Sequence, residues 1–390
     1  MINNSGTTAN CIVYKFDKNL NIIKNISITL GNNESGVLTD IKTDGINLYA
    51  CGFVHNATYS YMPFIVKLNT NLELLASKIY NRSNIDADEL FTKLLIDNGI
   101  VYAVGRIYES TELYTSAIFR FDTSLTLLNH HCYNQSNSGP YESFDNIIIV
   151  GTNTFTVGRL HNATTNRYNG VICKFDSNFN MVSNKVISLG NTSGGHQLTS
   201  TIIHKDGYLY LSGMLSDTEG RMYLIKMDLN LNIIKNVVIN INNKGGHINK
   251  LLIINNNLYL VGGSWDGTKN IGIIAVFDLS LNYIKHRLIQ IKNSNILFDI
   301  IMGGNNSIIV SGRANDANNY YATLIIIDDK LDITNGVYGD LVVTTPAYTI
   351  VETGFVYYST TYTKYNPTMT TVNSIPALTT GNLLTSEILL

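Results

Sequence analysis

Three groups of side chains in this sequence have types and spacings suited to chemistry. The first is rich in oxygen. Asp17, Asn19 and Asn21 form an Asp-x-Asn-x-Asn phrase that recurs at Asp176, Asn178 and Asn180 and again at Asp228, Asn230 and Asn232. Oxygen ligands at alternate positions open a calcium loop. Here Ile22, Met181 and Ile233 stand where that loop needs glycine, and no glutamate follows at the bidentate position. The phrase therefore reads as a turn in which Asp bonds its own backbone, and no metal site is expected. The second group is His196 and His247, each following a Gly-Gly pair at the same place in successive repeats. Loops at that place flank the channel of a propeller, where two imidazoles would form a pH-sensitive or weakly binding pair; duplication of one similar loop is the favoured reading, and two ligands make a poor metal site. The third group is aromatic: Tyr59, Tyr61, Tyr108, Tyr114, Tyr168, Trp265, Tyr320 and Tyr321 sit among Asn and Ser in expected loops. Apolar rings with polar tips suit recognition of a glycan or a protein receptor.

Local catalytic signatures are missing: the sequence has no G-x-S-x-G, no H-E-x-x-H and no phosphate loop. No catalytic residue and no cofactor is assigned on this basis. Carboxylates dispersed over several repeats would still serve a glycan-acting enzyme, and Glu34, Asp86, Asp88 and Glu142 are the candidates for that alternative.

These side chains are carried by a repeat. The phrase Tyr223-Leu-Ile-Lys-Met-Asp228 has counterparts at Val13–Asp17, Ile65–Asn69, Ile118–Asp122, Ile172–Asp176, Ala275–Asp278 and Ile325–Asp328, and the turn residues lie 50 to 54 residues apart. Four strands, A to D, are expected between turns. In the second unit they are Ala87–Ile96, Ile100–Gly105, Ser116–Phe121 and Leu125–Leu128. The A–B turn recurs as Asp44-Gly45, Asn98-Gly99 and Asp206-Gly207, residues that tolerate the positive φ of a two-residue hairpin. Strand B ends on glycine in six copies (Gly52, Gly105, Gly158, Gly213, Gly262, Gly312), as a bulge or close backbone approach requires, whereas the copy Phe355–Ser359 ends on serine. Meanders of this period predict an all-β, seven-bladed propeller of four antiparallel strands per blade over residues 1–362. The chain starts with C and D strands (Cys11–Phe16, Leu20–Ile28) and reaches A and B strands (Tyr348–Glu352, Phe355–Thr360), so the ends are expected to complete one composite blade.

The repeat, Leu-Tyr-x-x-Gly followed by Ile-x-Lys-Phe-Asp, resembles that of bacterial and archaeal propeller proteins found at surfaces and among secreted proteins. The resemblance covers roughly residues 11–360 and implies the fold. It differs from kelch and WD repeats: the single Trp265 cannot serve seven blades, and Gly262-Gly263 is the one Gly-Gly pair in a B strand.

A net charge of -2 favours neither nucleic acid nor an anionic membrane, and no apolar run is long enough to span a bilayer. Charged residues are 14% of the chain, against about 25% in typical soluble proteins. A polar, nearly charge-free surface is insensitive to salt and suits a protein exposed outside a cell. Residues 1–10 lack the basic and apolar parts of a secretory leader. These features together predict a non-enzymatic structural or recognition component of a surface assembly, such as a virion spike or decoration protein; a cytoplasmic protein is the alternative location. Cys11, Cys51, Cys132 and Cys173 form no metal-binding pair and read as small core residues. Residues 363–390 are Thr-rich with scattered aliphatics, a composition suited to an assembly arm that adds a strand to a partner subunit, or to a tail folded back over its own propeller.

Overall fold

A computed structural model describes residues 2–3, 9–18, 20–29, 35–55, 61–81, 88–109, 113–135, 141–162, 167–188, 196–216, 221–241, 245–265, 267–304, 306–315, 320–331, 336–338, 341–344, 348–351, 356–358, 362–365, 370–372 and 377–379. The chain has an all-β propeller fold of four-stranded antiparallel blades. Blade 1 is Ser35–Thr43, Asn47–His55, Met62–Asn69 and Leu74–Asn81; blade 2 is Leu90–Asp97, Ile100–Glu109, Leu113–Asp122 and Leu127–Gln135. Blade 3 comprises Ser143–Val150, Asn153–Asn162, Arg167–Phe175 and Met181–Ser188; blade 4, His196–Lys205, Tyr208–Ser216, Arg221–Asp228 and Ile233–Ile241. Blade 5 is Gly246–Ile254, Asn257–Trp265, Asn270–Asp278 and Tyr283–Ile291, and blade 6 has three strands, Ser294–Met302, Ser307–Asn315 and Tyr320–Asp328. The chain divides into two compact units. The first holds residues 1–166, 174–182 and 360–384, and the second 167–173, 183–359 and 385–390, so the boundary runs through blade 3.

Among the described residues there are six blades, not the seven expected, and the strands of the expected composite blade pair elsewhere. Ala9–Phe16 pairs with Ile22–Thr29 on one side and with Ile2–Asn3 on the other. Tyr348–Val351 pairs instead with Val238–Ile241, and Val356–Tyr358 with Val186–Ser188, each adding an outer strand to a D strand. The reason lies in the register device of strand B. In every blade the A strand carries a bulge, and the B-strand glycine faces the residue just before it. A Cβ built on Gly52, Gly105, Gly158 or Gly262 would stand 1.8, 2.0, 2.0 or 1.9 Å from a carbonyl oxygen of the A strand. The seventh copy has serine in that place in the sequence, and a Cβ there would meet the same carbonyl oxygen in such a pairing. Residues 362–365, 370–372 and 377–379 likewise extend D strands, pairing with Cys132–Gln135, Ile79–Asn81 and Ser27–Thr29. Outer strands of this kind cover edges that would otherwise be open to pairing.

Within each unit the apolar core lies between successive sheets. Tyr49, Cys51, Ile65, Phe91, Phe119 and Phe121 fill the space between blades 1 and 2, and Leu224, Val237, Leu251, Leu260 and Phe277 that between blades 4 and 5. All four cysteines are buried and none is in a disulfide, and burial pushes the Cys11 and Cys51 thiols up to about 12, which keeps them protonated and inert.

The repeat phrase owes its Tyr and Lys to a second device, a clasp on the next blade. Tyr49 and Lys67 face each other across strands B and C. Both reach the Thr123 carbonyl in the following C–D turn, Nζ donating at 2.8 Å and Oη lying at 3.2 Å with its proton shared with Asp44 Oδ2 at 3.0 Å. Tyr210 and Lys226 grip the Leu279 carbonyl in the same way, at 3.0 and 2.9 Å. Lys15 reaches the Thr70 carbonyl at 2.9 Å, and Tyr259 donates to that of Asp329. A third link joins the A strands through the bulge residues. Thr39 Oγ1 donates to the Phe91 carbonyl at 2.8 Å, Thr92 Oγ1 to Phe144 at 2.6 Å, and Ser200 Oγ to Ile248 at 2.6 Å.

One buried imidazole makes the fold pH-dependent. His286 in the D strand of blade 5 takes part in a 2.7 Å hydrogen bond between its Nδ1 and Tyr283 Oη, and burial, helped by the neighbouring Arg287 charge, lowers its pKa from 6.5 to about 4. The unfolded chain takes up this proton near pH 6.5, the folded protein only near pH 4. Stability from this group is therefore complete above pH 6.5 and is lost as pH falls through the window from 6.5 to 4. In urea titrations at pH 7, 5.5 and 4, His286→Gln is expected to show a shallower loss than the unmodified protein across that window. Equal slopes would show that His286 does not contribute.

Candidate functional site: an aromatic and guanidinium corner in the first unit

The bulge that fixes the A–B register also fixes the residue after each B-strand glycine. In blade 2 that residue is Arg106, opposite Leu90; in blade 3 it is Arg159, opposite Ser143. The two arginines thus occupy the same register position of consecutive blades. Arg106 Nε donates to the Asp88 carbonyl at 2.9 Å, and its guanidinium lies over the Tyr114 ring, 5.3 Å from the centroid. Tyr108 and Tyr114 are cross-strand partners with ring centroids 5.2 Å apart in an edge-on arrangement. Tyr114 also stacks on Tyr141, at 4.8 Å and an interplanar angle of 12°.

The loops leading into the A strands hold these rings in place. Tyr114 forms a parallel bridge with Tyr141, and Glu142 N donates to the Tyr114 carbonyl at 3.0 Å. One blade earlier, Tyr61 bridges Asp88 and Glu89 N donates to the Tyr61 carbonyl at 3.1 Å. Asp88 N then donates to Tyr114 Oη at 3.0 Å, which ties the two loops together. Burial raises the Tyr114 phenol, so it stays protonated at neutral pH. Burial, and then the Arg159 charge, lowers Arg106, against smaller opposing effects of Asp88, Asp145 and the Tyr114 group.

The predicted recognition residues are distributed unevenly. Tyr108 and Tyr114 come together, and Tyr61 joins them through Asp88 while packing its ring on Phe53 and His55. Tyr168, Trp265, Tyr320 and Tyr321 belong to the second unit. There Tyr321 lies under Lys292, with Nζ 5.7 Å from its centroid, and the Trp265 side chain is exposed. Tyr59 lies outside the described residues. His196 and His247 are not loop residues: they fall in A strands, opposite Ser216 and Gly263. Burial lowers the His247 imidazole, whose ring covers the open face of Gly263. Tyr141, Arg106 and Arg159 were absent from the sequence-based candidates. The signal that would have found the arginines is the dipeptide Gly-Arg at 105–106 and 158–159, which places a cation directly after the bulge glycine.

The carboxylates have structural work. Glu142 is buried, and Glu89 Oε1 accepts from Tyr108 N at 3.1 Å. Asp145 accepts from Ser143 Oγ at 3.0 Å and lies 3.9 Å from Arg159 Nε. Glu34 and Asp86 lie outside the described residues. In the Asp-x-Asn-x-Asn turns the Asp carboxylate is occupied by its own loop. Asp228 Oδ1 accepts from Asn230 N and Asn232 N at 2.8 Å each, and Oδ2 accepts from Asn232 Nδ2 at 2.8 Å. Among the described residues no group of three His, Cys, Asp or Glu side chains could hold a metal.

No protein-family model and no curated protein matches the sequence. Two solved structures are similar in part. A subtype N10 neuraminidase-like protein of A/little yellow-shouldered bat/Guatemala/060/2010 aligns with a TM-score of 0.44 at 10% identity, over 77% of this chain and 98% of that one. A subtype N11 neuraminidase-like protein of A/flat-faced bat/Peru/033/2010 (H18N11) aligns with a TM-score of 0.38 at 10% identity, over 76% and 94%. Scores below 0.5 at this identity carry no weight for function.

Proposed function

We propose that the protein is a non-enzymatic structural or recognition component of a surface assembly, on a virion or otherwise outside the cell, with the Tyr108–Tyr114–Tyr141 corner as its ligand-binding surface. The observation that supports this most is the stack itself. Three tyrosines and a guanidinium are held by strand register and backbone hydrogen bonds rather than by a loose loop. A site fixed on strands enters binding with its side chains already ordered, which reduces the entropic cost of holding a ligand. The neighbouring carboxylates are engaged by backbone, serine or arginine groups, an arrangement that suits positioning better than proton transfer. The nearly charge-free surface suits an extracellular setting. The C-terminal segment supports an assembly role: its short strands extend sheet edges here, and the same main-chain chemistry would join a partner subunit.

The test is a glycan and host-protein array run alongside a turnover assay on the same glycans. Saturable binding that weakens at least tenfold in Tyr114→Ala, with glycans recovered intact, is the expected result. Release of a cleaved product would overturn the non-enzymatic reading in favour of a glycan-acting enzyme.

A further inference from the structure

Resting on the recognition reading above, we infer that the Arg106–Arg159 corner binds a saccharide carrying an anionic oxygen group, a carboxylate or a sulfate ester. Arg106 is a partly buried cation whose hydrogen bond goes to a neutral carbonyl. Among the described residues no carboxylate oxygen lies within ion-pair distance of it, and none accepts from its two terminal nitrogens. Among the described residues this partly buried charge is met by one carbonyl and one ring face, and the Arg159 charge adds repulsion. The charged groups around it do not remove this. Asp88 presents its main chain to Arg106, Asp145 is shared between Ser143 and Arg159, and Glu89 is used by the Tyr108 amide. An anion that offers two oxygens to the free edge of the guanidinium would relieve the imbalance, and the planar fork matches carboxylate and sulfate alike.

The sugar part of the inference comes from the rings. Tyr141, 39% exposed, stacks on Tyr114, and the Arg106 guanidinium lies over that same Tyr114 ring, so an accessible aromatic and a cation are joined through one tyrosine. The C–H face of a pyranose covers such a ring while its acidic group reaches the arginine. A bare inorganic anion would use the arginines alone. The overall charge of -2 means that the attraction is local to this corner, not a field of the whole surface.

The experiment titrates the full chain by calorimetry with three probes: oligogalacturonate, the same oligosaccharide methyl-esterified, and inorganic sulfate. The acidic sugar is expected to bind at least tenfold more tightly than either of the others, the scale of one charge-assisted hydrogen bond. Arg159→Gln is expected to remove that preference, as is Arg106→Gln if its melting temperature is kept. Arg313→Gln, in the Gly-Arg dipeptide of blade 6, should leave it unchanged. Equal affinity for the acidic and esterified sugars would overturn the anionic inference while leaving recognition intact. Sulfate binding as tight as the sugar would overturn the saccharide part. Binding of neither sugar would overturn the inference as a whole, and the array would then decide separately whether the corner recognises anything.

Discussion

Gly105→Ala is expected to destabilise the protein by about 3 kcal/mol, at or above the upper end for an overpacked core. A Cβ at this position would stand 2.0 Å from the Leu90 carbonyl oxygen and 3.0 Å from Phe91 Cα, both backbone atoms that no rotamer change can move aside. Relief requires the A strand to shift. That strand carries the bulge between Phe91 and Lys93, the Thr92 hydrogen bond to the Phe144 carbonyl, and Arg106 opposite Leu90. Equilibrium urea unfolding should therefore show a lower midpoint together with loss of ligand binding at the corner. Gly45→Ala is the control, since nothing lies within 4 Å of a Cβ built there. Its φ of 92° adds only backbone strain. Equal effects of the two substitutions would show that close approach is not why strand B ends on glycine.

A second large effect is expected at Leu125. This residue closes the C–D turn of blade 2 in the left-handed region, at φ 64°, although its side chain is fully buried. Leu20, Leu72, Phe179, Leu231, Leu281 and Leu331 repeat the conformation in the other turns. A non-glycine residue there costs roughly 1–2 kcal/mol, and the buried side chain offsets it. Leu125→Ala keeps the strain and removes the packing, so a loss of about 3–5 kcal/mol is expected. Leu125→Gly removes both, and it should be less destabilising than the alanine variant by about 1 kcal/mol. In an ordinary strand the order would be reversed, because glycine is the poorer strand former. Finding alanine the milder substitution in thermal unfolding would show that strain is not stored in the turn.

Much of the blade was legible in the sequence because its rules are local. A turn Asp followed two residues on by Asn or Ser specifies an Asx turn through atoms only a few bonds apart, and the structure shows that turn at Asp122, Asp176, Asp228 and Asp278. Alternating Leu, Ile and Tyr specify strands, and the glycine closing strand B marks a close approach that the A-strand bulges supply. Blade number was harder to read. It depends on whether a strand pair lacking its glycine still pairs in register, and that is settled by competition with other sheet edges. Val356–Tyr358 resembles a B strand in composition, yet its edge is taken by Val186–Ser188.

The candidate corner divides in the same way. Sequence alone placed Tyr108 and Tyr114 in one B–C loop; the structure extends both strands past that point, to Glu109 and from Leu113, and so sets the two rings opposite each other. Tertiary structure alone decided that Tyr141 stacks on Tyr114, that Arg106 lies over the same ring, and that Arg159 takes the matching register position in the next blade. Tyr141 and Arg159 come from the next blade, and no local rule relates them to Tyr114. Their meeting follows from how sheets pack face to face, which depends on the summed shape of Phe91, Phe119, Phe144 and their neighbours. Local hydrogen bonding specifies each blade, whereas the packing between blades assembles the site.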